Sequence, residues 1–278
     1  MPAAALLGPD EVEAILPWDG VETAAILAGE TTGGPVEAAL RSADAVVAFT
    51  ASAPALAALR MRAPRVVAHD PAPPAGGPHA SRWLAGALAR LGIDALPEPS
   101  PLQFTDSEHR EAEVLTTSLP TGFLAVHPGS GSPAKNWPLD RFASTAGRLS
   151  PGGPWLLVLG PAEHDVVPPP GAVVARGWPL RTLGAALARA GLFLGNDSGV
   201  AHLAAACGTR TLALFGPTEA AQWAPLGRSV AALRAPTARV ADLEVDEVVA
   251  AAEALGRSAG LPRRVGDSLP ARGASTGS

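Results

Sequence analysis

The sequence predicts an α/β protein whose parallel sheet carries helices on both faces, and three observations predict it. From residue 123 onward, short apolar runs alternate with helical stretches, the pattern of successive βαβ units. Two of those apolar runs leave through turns rich in Gly and Ser or capped by Asp-Ser-Gly that open directly into helices. The composition, 47% apolar over 278 residues, supports a sizeable core in one large or two medium domains.

Taken in order, 10–17 reads as a short turn and strand, 21–29 as a helix, and Gly33-Gly34-Pro35 as a break. Residues 45–49 read as a buried strand, 55–60 as a short helix and 65–69 as a second strand. A Pro/Gly loop covers 71–78, and Ser81 is expected to cap a helix over 83–91 that ends at Gly92. Asp106 or Ser107 is expected to cap a helix running to about Ser118, with a domain junction at Leu119-Pro120-Thr121-Gly122. Next come a strand at 123–127, a Gly/Ser loop, a helix at 138–149, a strand at 155–159 and the turn Gly160-Pro161-Ala162-Glu163. A strand at 172–175, a helix at 180–190 and a strand at 191–194 lead to Asp197-Ser198-Gly199 and a helical run stopped by Gly208. Strands at 211–215 and 230–233 and a helix near 245–255 close the pattern, and 257–278 reads as a disordered tail.

What the chain lacks argues against several function classes. Net charge is −5 with no run of like charge, which argues against a nucleic-acid surface and against a polybasic membrane patch. Cys207 is alone in an apolar helical run, so it reads as a buried, inert thiol, and a reducing, cytoplasmic compartment fits. The first residues lack the basic and apolar regions of a signal peptide, and 43–59 is too polar for a membrane span. There is no Asp-x-Asp pair and no His/Cys cluster at zinc spacing, so no metal is expected. Of the six histidines, His202 lies one turn into the helix after Asp197 and points to function. His127, at a strand end, stays open between a turn contact and a role in the site, whereas His164 reads as solvated and His69, His79 and His109 as structural.

Two stretches carry the chemistry. Asp197, Ser198 and Gly199 sit where a strand turns into a helix, at the carboxyl edge of the expected sheet, where open α/β folds bind ligands. Free N–H groups and the positive end of the helix dipole favour phosphate there, although Asp and Ser are also ordinary helix caps. Upstream, 126–138 likewise leaves a strand, passes through Gly and Ser and enters a helix. It contains Lys135, the only lysine among 21 basic residues, which suits a site needing a compact ammonium rather than a planar guanidinium.

His127-Pro128-Gly129-Ser130 with Lys135-Asn136-Trp137-Pro138, Leu159 to Glu163, Asp197-Ser198-Gly199 with His202, Leu214 to Thr218, and Trp223 with Pro225 together resemble glycosyltransferase family 9. Its best-known members are ADP-heptose:lipopolysaccharide heptosyltransferases. The resemblance implies a GT-B fold, two Rossmann-like domains whose parallel sheets face across a cleft. It places a truncated acceptor-side domain at 1–118 and a nucleotide-sugar-binding domain at 119–256. It implies that Ser130, Gly131 and Lys135 lie by the donor diphosphate, that Glu163 holds the nucleoside, and that Asp197, Ser198, Gly199 and His202 line the diphosphate and sugar pocket. Lys135 and Asp197 are the expected catalytic residues. The implied reaction is inverting, metal-independent transfer of a heptose or related sugar from a donor such as ADP-heptose to a lipid-linked glycan of the cell envelope. The donor is a substrate and no cofactor is expected. The chain would be cytoplasmic, with peripheral membrane contact through its acceptor.

The family's opening Ser-x-x-Gly-Asp segment, whose Asp serves as general base, has no counterpart. Met1 aligns about forty residues inside the usual first domain, and Asp10 and Asp19 are the weak candidates for that base. A second reading is therefore a catalytically silent protein that binds a nucleotide-sugar without transferring it. A third is a nucleotide-sugar epimerase of the same architecture.

Overall fold

The computed structural model describes residues 6–7, 12–95 and 101–257. The described residues divide into two units, one up to residue 95 and one from residue 101.

The first unit contains α1 (Val21–Leu27), α2 (Pro35–Ser42), β1 (Val46–Phe49), α3 (Ala53–Arg60), β2 (Val66–His69) and α4 (Ala80–Ala89). Strands β1 and β2 pair in parallel, Val46 opposite Val66 through Phe49 opposite His69. The core is small: Ile26, Val36, Leu40, Ala48, Ala58 and Leu59. Much of the cohesion is polar. The Glu22 carboxylate accepts the N–H groups of Val36 at 3.2 Å and Glu37 at 3.0 Å, satisfying the first turn of α2. Glu37, 1% exposed, accepts the N–H of Gly33 at 2.9 Å and the guanidinium of Arg41 at 2.7 Å.

The second unit continues with α5 (Asp106–Leu115), β3 (Leu124–His127), α6 (Leu139–Leu149), β4 (Trp155–Leu159), β5 (Ala172–Arg176), α7 (Leu180–Leu187) and β6 (Leu192–Asn196). Then follow α8 (Gly199–Ala206), β7 (Thr211–Phe215), α9 (Ala220–Trp223), β8 (Val230–Arg234) and α10 (Val245–Arg257). The described strands form one six-stranded parallel sheet in the order β5-β4-β3-β6-β7-β8. Strands β4 and β7 are buried along their whole length, which explains why they read as unbroken apolar runs. Trp137, Phe142, Leu157, Leu194, Leu212, Leu214 and Val248 belong to the core.

The expected α/β class with parallel sheets is the one observed. Five expectations need correction. The units divide between residues 95 and 101, not at 118/119, because α5 packs on α7. Glu108 pairs with Arg181 at 2.5 Å, Glu111 accepts the hydroxyl of Thr182 at 2.9 Å, and Ala112 is buried against Ala185 and Ala186. No strand forms over 12–17. Helix α5 is capped by Thr105, in a reciprocal box with Glu108, and α4 by His79. Helix α2 was not anticipated; the break expected at 33–35 is its start. The tail, apart from Arg257 at the end of α10, and Asp10 lie outside the described residues.

Candidate functional site

Strand order locates the site. From β3 the chain builds outward through β4 and β5 on one side of the sheet, and from β6 through β7 and β8 on the other. Strands β3 and β6 are neighbours, His127 opposite Gly195. The loops leaving them therefore diverge at their carboxyl ends, the point at which open parallel sheets bind ligands. Both stretches singled out in the sequence leave the sheet there.

The loop after β3 spans 128–137 and holds a 3₁₀ turn, Pro133–Lys135. The Ser130 hydroxyl is engaged within this loop, 2.7 Å from the Ser132 carbonyl and 2.6 Å from Asn136 Oδ1. Gly131 is exposed and has a φ outside the left-handed range, and a Cβ there would meet nothing within 4 Å. Neither strain nor packing therefore requires glycine at 131.

After β6, Ser198 caps α8, its hydroxyl accepting the Ala201 N–H at 3.3 Å. The first intrahelical bond runs from Ala201 to the Ser198 carbonyl, so the N–H groups of Gly199 and Val200 precede the helix's own hydrogen bonding. A Cβ at Gly199 would also enter open space. These groups lie at the positive end of α8. His202 is exposed on the first turn.

The two loops meet through a charge pair. Lys135 Nζ donates to Asp197 Oδ2 at 2.8 Å, and the Thr218 hydroxyl donates to the same oxygen at 2.8 Å. The Asp197 side chain is 9% exposed and that of Lys135 27%, so the carboxylate is buried beneath an ammonium that reaches solvent. Thr218 follows β7, the neighbour of β6. The chain order hides this contact; strand adjacency creates it.

Glu163 lies in the 3₁₀ turn after β4, beside the β3 loop. Its carboxylate accepts the Gly160 N–H at 2.8 Å and covers Gly129, where a Cβ would come within 2.2 Å of Oε1. A side chain at 129 would therefore displace the Glu163 carboxylate from this position. Next to it, His127 is 5% exposed and its Nδ1 is 2.9 Å from the Val158 carbonyl. That carbonyl can only accept, so Nδ1 carries the proton. Burial lowers the His127 pKa and favours neutral imidazole. The contact found for His127 is thus a cross-strand one, to β4, rather than a turn contact.

All eight expected site residues lie at the carboxyl ends of three adjacent strands, β4, β3 and β6, or in the helix or turn that follows. Sequence reasoning gave no role to Asn196, Thr218 or Gly129. Among the described residues no group of three or more His, Cys, Asp or Glu is arranged to hold a metal ion. Cys207 is half-buried rather than buried, at the end of α8, and desolvation raises its thiol to about 12. Asp19 is exposed in the bend before α1. A surface pocket lined by Thr116, Leu119, Phe123 and Arg189 lies toward the opposite, amino-terminal end of β3. No described helix is long and apolar enough to cross a membrane.

Comparisons with known proteins bear on this site. The family model described as glycosyltransferase family 9 (heptosyltransferase) matches residues 45–250. Lipopolysaccharide heptosyltransferase 3 of Escherichia coli is 26% identical over 151 residues, covering 50% of this chain and 44% of that protein. The chain therefore spans less than half the length of this curated relative. Among solved structures, a glycosyl transferase family 9 protein from Veillonella parvula matches with a TM-score of 0.67 at 20% identity, over 82% of this chain and 80% of its own. Escherichia coli ADP-heptose lipopolysaccharide heptosyltransferase II gives 0.64 at 18% identity, over 84% and 81%. Escherichia coli heptosyltransferase WaaC with ADP gives 0.58 at 19% identity, over 86% and 79%. At such identities the structural likeness concerns the fold.

Proposed function

The chain belongs to glycosyltransferase family 9, and from that premise we propose that it transfers a heptose or related sugar from ADP-heptose to a lipopolysaccharide core or other envelope glycan. The observation that carries the reading is the Lys135–Asp197 pair beside the open N-terminus of α8, at the switch point of the sheet. The solved relative with ADP supports the choice of nucleotide.

In this reading an acceptor hydroxyl oxygen attacks the anomeric carbon while the bond from that carbon to the diphosphate oxygen breaks. The anomeric centre inverts, ADP departs, and the hydroxyl proton passes to a base. The departing diphosphate gains negative charge. The N–H groups of Gly199 and Val200 and the Lys135 ammonium are groups of the kind that stabilise such charge, with no metal ion called on. Gly131 and Gly199 leave room for phosphate oxygens to approach the backbone. Glu163 is offered to the ribose hydroxyls, and Ser130, Ser198 and His202 line the same edge. Asp197 orients the ammonium and is held by Thr218, so it is not used as the base that takes the acceptor proton. The lipid-linked acceptor brings the protein to the cytoplasmic membrane surface.

The direct test is to supply ADP-heptose with and without a heptose-accepting core glycan and to measure ADP release. Release that requires the glycan supports transfer. ADP binding with no release leaves the chain as a silent binder, and a changed sugar nucleotide without acceptor marks an epimerase. Lys135→Ala should lower transfer by about 10²–10³-fold, the usual loss when one preorganised donor to a developing oxyanion is removed. Unchanged turnover would remove Lys135 from this role. Asp197→Asn should also slow transfer, because the ammonium loses its anchor. Faster transfer would show that the Asp197 charge only repels the diphosphate.

A further inference from the structure

Asn196 is fully buried at the end of β6, one residue before Asp197. Its Nδ2 donates to the Pro128 carbonyl at 2.7 Å, and its Oδ1 accepts the Trp137 N–H at 3.0 Å. Pro128 and Trp137 are the first and last residues of the loop that carries Ser130, Gly131 and Lys135. One amide therefore closes the neck of that loop, while the adjacent Asp197 holds Lys135 within it. The amide orientation is fixed by its partners, since a carbonyl can only accept and a backbone N–H can only donate. No ionised carboxylate satisfies both.

We infer that Asn196 is a positioning residue for the donor site, which sets the Lys135 ammonium against the N-terminus of α8 by closing the 128–137 loop. The inference rests on the proposed diphosphate site. Its physical basis is the cost of a free loop. A loop of this length has many arrangements unless its ends are held together, and only some of them place Lys135 beside Asp197. The loop's other ties do not replace the clamp. The Ser130 bonds lie inside the loop, and the Trp137 indole, which donates to the Leu243 carbonyl at 3.0 Å, anchors one end alone. Because neck and ammonium are gripped by consecutive residues of one strand end, the loop is registered to β6 itself. Gly195 lets β3 approach at this point, since a Cβ there would lie 3.0 Å from the His127 carbonyl oxygen.

The test is a double-mutant cycle read by calorimetric titration with ADP. Asn196→Ala should weaken ADP binding about tenfold or more. In a Lys135→Ala background the same change should add less than twofold, because its effect is carried by the ammonium. Two independent, multiplying losses would overturn the inference. Asn196→Ser, which keeps a hydroxyl at the buried site but lacks the two separate atoms that hold Pro128 and Trp137, repeats the cycle where the alanine variant does not fold. Hydrogen exchange provides a readout that needs no ligand. Faster exchange confined to 128–137 in the Asn196 variants is expected, and unchanged exchange there would overturn the inference. Failure of the parent protein to bind ADP would count against the proposed function, while the exchange result would still decide the role of Asn196 in the loop.

Discussion

The two units of the chain are held together in different ways. The second rests on a six-stranded sheet with buried strands and a core containing Trp137, Phe142 and Leu212. The first has two described strands, a small core, and a polar lattice in which Glu22 and Glu37 cap the segment leading into α2. The difference shows what the two kinds of cohesion ask of a sequence. Apolar burial requires periodic residues along each element, and these are visible locally. A carboxylate cap requires one residue in the right place, and it can come from another element.

The largest predicted effect is in the second unit. Leu212 is fully buried in β7, and Leu212→Ala should lower stability by about 2–5 kcal/mol, from lost transfer energy and the cavity left behind. Hydrogen exchange should show the loss across β6, β7 and β8, with α1 and α2 unchanged. Equal loosening of both units would break the comparison.

A smaller effect is expected from Glu37→Ala, confined to the first unit. It should raise exchange at Thr32, Gly33 and along α2 while leaving the sheet of the second unit protected. No change there would mean that the Glu37 lattice does not stabilise α2.

The smallest effect separates the units by pH. Bonds from the Gly33 N–H and from Arg41 hold Glu37 down from 4.5 to about 2. The Arg181 guanidinium does the same for Glu108, also to about 2. A depressed folded-state pKa contributes stability that is present above the ordinary value and lost as pH falls toward the folded one. Both contributions should therefore fade between about pH 4.5 and 2. Protection should be lost first in the first unit, where less apolar burial remains. Glu108→Gln should flatten the acid dependence at the α5–α7 contact alone, and an unaltered acid profile there would remove Glu108 from the account.

What could be read in advance follows the same division. Strands β3, β4, β6 and β7 were legible because each is a run of apolar residues, and the two loops because Gly, Ser and a solitary Lys interrupt that pattern. Helix α2 was not legible because its first N–H groups are satisfied by Glu22, on a different helix. The boundary was misplaced because α5 is tied to the second unit by Glu108, Glu111 and Ala112, through contacts with residues about seventy positions away. Thr218 and Asn196 escaped assignment for a related reason. Their partners follow from which strands are neighbours, and hydropathy does not encode strand order.

The central claim is that Lys135 and the start of α8 form one anion site. Titration of the parent protein and Lys135→Ala with ADP, with melting temperature as the control for folding, tests it most directly. A lost charge-assisted hydrogen bond of about 1.5–3 kcal/mol corresponds to ADP binding roughly 10- to 100-fold weaker, in a variant that melts lower, because Asp197 loses its partner, but is still folded at the temperature of the titration. Equal affinity in the two proteins would contradict the account.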